Sequence, residues 1–364
     1  MSSRLSRAFD RFSGASLLSL GIAGAVLVFL FAVQLLGTAT EAAAPVLERV
    51  FARVVVGDAS ALGIGWFGAY LLANGSVVAA LSLSLFTADI VSPSQLFMMI
   101  AGSRLGSAVI VVVVGALDYF QKERYTLRRS VSMGLLTFLL THSIYVPVTV
   151  LGYVALTHLR RPVGAVGPAW VEGLQPLTFF DPVTAAVTDA IGPGPTFVLA
   201  VALLFGSLKL FDRFLGSVDT RALRRRFFRH LERTWLSFVI GLLVTTVTTS
   251  VAFSIGVIVP LYNRGYVERD ELIPYVLGAN LGTLFDTLVV AVVLRSPAGV
   301  AVVLELLVVA TLVTLVALVA IDAYSDAVVA VDDRLLDDRR LFVAFVLALV
   351  LVPLGLLVVP LAVG

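Results

Sequence analysis

Apolar runs of membrane-spanning length, interrupted at a few places by glycine, asparagine, serine and threonine, dominate this chain. An α-helix rises ~1.5 Å per residue, so ~20 apolar residues cross the hydrocarbon core of a bilayer. Residues 16–38, 93–118, 131–157, 195–216, 271–294, 297–321 and 341–363 all meet that length. Charged residues make up 14% of the chain, against about 25% in soluble domains. The sequence therefore predicts an all-α polytopic membrane protein, with residues 1–364 forming a single transmembrane domain. The first run follows a basic, polar start and is too long for a cleaved signal segment, so it reads as a retained span. The absence of cysteine excludes disulfides and thiolate metal sites.

Two further apolar stretches are too short to cross twice and too long to cross once. Residues 59–91 are interrupted by "ANGS" at 73–76, and residues 237–263 by "TTSVAFS" at 248–254. Each predicts a re-entrant helical hairpin that dips into the membrane and returns. Residues 41–56, with charges on one face, predict a short interfacial helix, and 181–191 a surface helix. The charged stretch 322–340 joins the last two spans.

Positive residues mark cytoplasmic loops. Arg4, Arg7 and Arg11 precede the first span. Lys122, Arg124, Arg128 and Arg129 follow the second, and a basic group from Lys209 to Arg233 follows the fourth. All three fall on one side if each hairpin re-enters without crossing. The first hairpin then enters from outside and the second from the cytoplasm, and the N-terminus is cytoplasmic. The basic segments also suit anchoring to anionic lipid, which explains 221–233 better than nucleic-acid binding does. Lysine occurs only at 122 and 209; this strong arginine bias suggests a prokaryotic plasma-membrane protein.

Sliding the chain against itself by 176 residues places "GSRLGS" (102–107) on "GANLGT" (278–283) and "ANGS" on "TSVA" (249–252). Six of 35 positions are identical without a gap. The shared order of hairpin, span and glycines predicts two repeats, at about 58–118 and 235–295, each with a re-entrant hairpin and a broken span. An odd number of spans separates them, so their topology is inverted. Inverted repeats whose broken helices meet near the midplane are an architecture of secondary transporters.

Irregular backbone at membrane depth survives where it is buried or lines a wet cavity. Freed amides there hold anions, and freed carbonyls and hydroxyls hold small cations. The first break offers Asn74, Ser76 and Ser107; the second offers Thr248, Thr249, Ser250, Asn280 and Thr283. Hard oxygens suit Na⁺, with candidate ligands at Asn74, Ser76, Ser250, Asn280 and Thr283. Gly102/Gly106 and Gly278/Gly282 are each G-x-x-x-G, which serves close helix packing as readily as a break. Charges inside spans are costly and usually functional. Three stand out here: Arg104, Asp286 and Glu305. Arg104 aligns with Asn280 and suits bidentate contact with an oxyanion, or else forms a buried pair with Asp286 or Glu305. His142 reads as a packing residue or a proton relay, and Asp89 as a solvated hairpin end. No nucleophile triad, carboxylate pair or P-loop is present, so no enzyme is expected and no cofactor beyond a coupling ion.

At these residues the chain resembles the sodium–phosphate cotransporter II family. In that family each inverted repeat carries a Gln-Ser-Ser-Ser hairpin followed by a span with Gly-(Ala/Ser)-Asn-(Ile/Leu)-Gly-Thr. "GANLGT" matches the second element closely and "GSRLGS" loosely. The family spacing puts the serine motif on "ANGS" and "TSVA". The resemblance implies a sodium-coupled symporter of inorganic phosphate or a similar oxyanion, embedded in lipid and working by alternating access. It implies binding where the hairpin tips meet, at Asn74, Ser76, Thr249 and Ser250, with Gly102, Gly106, Gly278, Asn280, Gly282 and Thr283 on the spans. Ala73 and Thr249 replace the glutamines; Gly75, Val251 and Ala252 replace serines; Arg104 replaces an asparagine. These departures leave two alternatives: a non-transporting scaffold or sensor that keeps the fold, and a passive anion channel.

Overall fold

The computed structural model describes residues 2–121, 127–158, 179–216, 233–249, 254 and 269–363. Every element among them is helical. In chain order these are α1 (Ser2–Val54), α2 (Asp58–Leu72), α3 (Gly75–Thr87), α4 (Pro93–Gln121), α5 (Leu127–His158) and α6 (Asp181–Ile191). There follow α7 (Pro193–Gly216), α8 (Thr234–Thr248), α9 (Arg269–Gly282), α10 (Leu284–Val293), α11 (Pro297–Val319), α12 (Ile321–Asp337) and α13 (Arg339–Val363). Six stretches of these helices are long and apolar enough to cross a membrane: Leu18–Val54, Gly134–Thr157, Pro193–Leu215, Glu271–Val293, Pro297–Val319 and Arg339–Pro360. The chain is an all-α polytopic membrane protein. The seventh expected span, 93–118, is continuous helix within α4.

Two local expectations need correction. Residues 41–56 do not form a separate interfacial helix, because α1 runs unbroken through Val54 with Pro45 inside it. Proline removes one intrahelical bond, and here the alanine-rich surroundings carry the helix past it; Arg49 Nε donates to the Pro45 carbonyl at 2.9 Å. Nor is the span of the first repeat broken, since α4 passes through Gly102 and Gly106 without interruption. In the second repeat the interruption is slight. α9 ends at Gly282, and Thr283 keeps right-handed helical angles (φ −68°, ψ −18°) before α10 begins.

The glycines serve contact instead. A Cβ on Gly102 would lie 2.2 Å from the Leu62 carbonyl oxygen, and one on Gly106 would lie 2.3 Å from that of Trp66. In the other direction, a Cβ on Gly65 would lie 2.1 Å from the Met99 oxygen. The same three contacts recur 176 residues later: Gly278 against Phe238 (2.0 Å), Gly282 against Leu242 (2.8 Å) and Gly241 against Tyr275 (2.1 Å). α2 and α8 are offset by the same 176 residues and have the same length of 15. Between apolar helices in lipid the hydrophobic effect gives little drive, and close approach through small residues supplies the packing.

The centre of the bundle is made by α4, α5, α9, α10 and α11, where Phe97, Leu136, Tyr145, Tyr275 and Val303 are fully buried. α1 lies along α7, with Gly21 beneath the Phe214 ring. α13 rests on α2: Gly63 faces the Pro353 carbonyl, and Tyr70 Oη donates to the Leu349 carbonyl at 2.9 Å. Its outer face exposes Val343, Leu347, Val350 and Leu351, as a lipid-facing helix does. The outer end of α2 is held by Asp58, whose carboxylate accepts from Ser94 Oγ and Tyr153 Oη, each at 2.8 Å. That joins the starts of α2 and α4 to the far end of α5.

Candidate functional site

The first break is a turn made by two residues. Ala73 takes the left-handed conformation (φ 49°, ψ 29°) and Asn74 is extended. Asn74 Oδ1 accepts from the backbone N–H of Ser76 (2.9 Å) and Val77 (3.1 Å). Buried helix N-termini carry orphan donors that must find partners, and this is the N-cap solution. Gly75 seats the tip on α4. A Cβ there would lie 2.8 Å from the Ser103 carbonyl oxygen and 3.0 Å from Ser107 Cβ. No side chain fits at this position without a shift of its neighbours.

That seating carries Ser76 to Asp286, 210 residues away, where its hydroxyl donates to Oδ2. Arg104, the residue after Ser103 on α4, reaches the same carboxylate: Nη2 lies 3.2 Å from Asp286 Oδ1. Nη2 also donates to Thr287 Oγ1, which itself donates to Asp286 Oδ1 at 2.9 Å. Arg104 and Asp286 are 4% and 3% exposed. Breaking such a pair from one side leaves an uncompensated charge and costs about 3–5 kcal/mol. Glu305, the other candidate partner, makes no ion pair among the described residues and lies half-buried on α11.

A second group surrounds Asn280. Its carbonyl accepts from Tyr145 Oη (3.0 Å) and Thr283 Oγ1 (2.7 Å), and its Oδ1 accepts from Thr141 Oγ1 (3.3 Å). Arg104 Nε and Asn280 Nδ2 are buried without a partner among the described residues, as are Thr245 Oγ1 and Thr246 Oγ1 on α8. Gly282 packs α9 against this part of α8; a Cβ on it would be 2.9 Å from Thr245 Cβ and 3.1 Å from the Thr246 nitrogen. Buried donors without partners are few in folded proteins and mark strain, function or an absent ligand.

Residues 203–329 match the model of the Na⁺/Pi-cotransporter family. That match supports membership of the family. No match is found among curated proteins or among solved structures. The matched segment holds Asn280, Thr283, Asp286 and Thr287; Ser76 and Arg104 reach them from outside it. This partial match and the helices long enough to cross a membrane together support a phosphate transporter in general terms.

Of the residues that the sequence nominated, Ser76, Arg104 and Asp286 form one connected cluster, with Asn280 beside it. Gly102, Gly106, Gly278 and Gly282 lie at helix contacts. Ser107 bonds back to the Arg104 carbonyl at 2.9 Å, and Thr283 to that of Asn280, as hydroxyls in helices often do. Thr249 closes α8 in the left-handed conformation, its N–H 2.7 Å from the Thr245 carbonyl. Ser250, with Val251, Ala252 and most of the second hairpin's return limb, lies outside the described residues. His142 stacks on Phe138 at 3.7 Å, with Nδ1 at 3.0 Å from the Phe138 carbonyl. Its Nε2 is buried without a partner among the described residues. Asp89 is exposed. No group of three or more acidic or histidine ligands forms among the described residues.

Sequence reading missed Thr287, Thr141, Tyr145, Thr245 and Thr246. The available signal was their neighbourhood. Thr287 adjoins Asp286, and Thr141 and Tyr145 lie four apart on one face of α5.

Proposed function

We propose that the chain is a sodium-coupled symporter of inorganic phosphate or a similar oxyanion, with residues 1–364 acting as one transport domain. The two repeats are read as inverted in topology, their hairpins as re-entrant, and the transport cycle as alternating access. The N-terminus is assigned to the cytoplasm of a prokaryotic cell.

One observation carries the reading. A guanidinium is buried where a hairpin tip of one repeat meets the span of the other, and part of its donor set is unused. Arginine is the side chain suited to planar, bidentate recognition of oxyanions. The orphan Nδ2 of Asn280 can donate to the same oxyanion, and the hydroxyls of Thr245 and Thr246 are hard oxygens of the kind Na⁺ takes. Ser76, Thr283 and the neighbouring carbonyls are hard oxygen donors of the kind Na⁺ takes. Asn74 supports the site by shaping the tip, because its Oδ1 is engaged with the α3 amides.

The test is uptake of radiolabelled phosphate into proteoliposomes, with an inward Na⁺ gradient or with K⁺ in its place. Accumulation that follows the Na⁺ gradient supports the symporter. Uptake indifferent to the cation makes the protein a passive anion channel, and no uptake by folded protein favours the scaffold reading.

A further inference from the structure

The Arg104 fork is half filled. Nε and Nη2 form the side-on edge of a guanidinium, which presents two parallel N–H bonds to two oxygens of one anion. Nη2 donates to Asp286 Oδ1 at 3.2 Å, whereas Nε has no partner in a residue that is 4% exposed. The carboxylate has a second oxygen to offer, but Ser76 on the hairpin tip holds Oδ2. Asp286 is thus a poor occupant of the fork, kept poor by the first repeat.

We infer that Asp286 stands in for the transported anion: the incoming oxyanion displaces it from Arg104, and the freed carboxylate takes Na⁺. This rests on the oxyanion reading above. A tetrahedral oxyanion has oxygens for both Nε and Nη2, which Asp286 as held here cannot supply. Two anions sharing one buried guanidinium leave an uncompensated negative charge, which a low-dielectric interior disfavours strongly. Na⁺ on Asp286 removes it. The carboxylate already lies beside two hydroxyl oxygens, Ser76 Oγ and Thr287 Oγ1, which are hard donors fit for the ion. The charge count closes at both ends. Arg104 with Asp286 is neutral when empty, and stays neutral after adding one monovalent oxyanion and one Na⁺. The cation is then required because the anion has arrived, which is coupling.

The experiment is calorimetric titration of inorganic phosphate into the full chain in lipid nanodiscs, in NaCl and in KCl. Wild type is expected to bind at least tenfold more tightly in Na⁺. Asp286→Asn removes the resident anion, so it is expected to bind phosphate equally in both salts, at least as tightly as wild type in Na⁺. Ser76→Ala is run beside it, because Asp286→Asn leaves a buried guanidinium and risks the fold. With Oδ2 released, Asp286 closes the fork, and Na⁺ loses one of its two hydroxyl donors, so Ser76→Ala should weaken phosphate several-fold in NaCl. A wild-type Na⁺ preference that persists in folded Asp286→Asn, or loss of all binding by that folded variant, overturns the inference and leaves the oxyanion site standing. Unchanged affinity in Ser76→Ala overturns it as well. Absence of phosphate binding in wild type and both variants, in both salts, overturns the oxyanion reading together with the inference.

Discussion

Ala73 and Thr249 lie 176 residues apart and end helices of equal length with the same left-handed backbone, at φ 49°, ψ 29° and φ 49°, ψ 17°. An L-residue in that conformation costs roughly 1–2 kcal/mol, and a β-branched one fares worse than alanine. Two such residues at matching positions imply that the turn is imposed by what surrounds it: the seating of Gly75 on α4 in the first case.

The strain predicts an order. Glycine relieves it but loses more entropy on folding, by about 0.4–1 kcal/mol. Ala73→Gly should therefore be near neutral or stabilising by about 0.5 kcal/mol, and Thr249→Gly should gain more. Thermal unfolding of the detergent-solubilised variants reads this directly, and a drop in Tm for Thr249→Gly would show that its side chain holds the turn.

The carbonyl-facing glycines predict sharp intolerance. Gly102→Ala and Gly278→Ala each place a methyl 2.0–2.2 Å from a carbonyl oxygen, so helix separation must grow, at about 1–3 kcal/mol or more. Gly24 and Gly206 are the controls. They lie within α1 and α7, where an added methyl would meet nothing within 4 Å, and alanine there should be neutral or stabilise by up to about 1 kcal/mol through helix propensity. Equal Tm values across the four variants would sink the packing role.

Removing the cap at the tip gives a third outcome. Asn74→Ala leaves the amides of Ser76 and Val77 without their partner and should cost about 1 kcal/mol. Asn74→Asp keeps an acceptor and should retain most of that stability. If uptake falls with Asn74→Ala and recovers with Asn74→Asp, the residue acts by shaping the tip. Loss with both variants points to direct contact with ligand through the amide nitrogen.

The buried pair separates structure from function. Arg104→Met alone strands Asp286 and should destabilise by about 3–5 kcal/mol; Arg104→Met with Asp286→Leu should regain most of it. Phosphate uptake should be lost in both. A stable double variant that still transports would remove Arg104 from the site.

Much of this architecture could be read from the chain, and the exceptions share a cause. The Asn-Gly pair at 74–75 marks a break because no helix interior favours it, and the turn lies there. Six of the seven expected spans coincide with helices long and apolar enough to cross a membrane, and these were legible from length alone. G-x-x-x-G was not, since close packing and chain interruption use the same glycines. What decides is the facing residue, here the Leu62 and Trp66 carbonyls, which adjacency in sequence does not reveal. The same holds for Arg104, whose partner is 182 positions away; Asp286 and Glu305 were equally eligible until the helices were placed. The continuation of α1 past Pro45 was masked by charges that read as an interfacial face.

The glycine contacts also divide the protein mechanically. Helices that touch backbone to backbone have no side-chain layer in which to slide, so α2 with α4, and α8 with α9, each form one stiff body. Outside these interfaces the contacts of the site are made by side chains: Ser76 on α3 and Arg104 on α4, against Asp286 and Thr287 on α10. Side-chain hydrogen bonds exchange partners within a few tenths of a nanometre, whereas the welded pairs cannot yield without tearing. A ligand that alters the charge held there acts on contacts that side chains alone make.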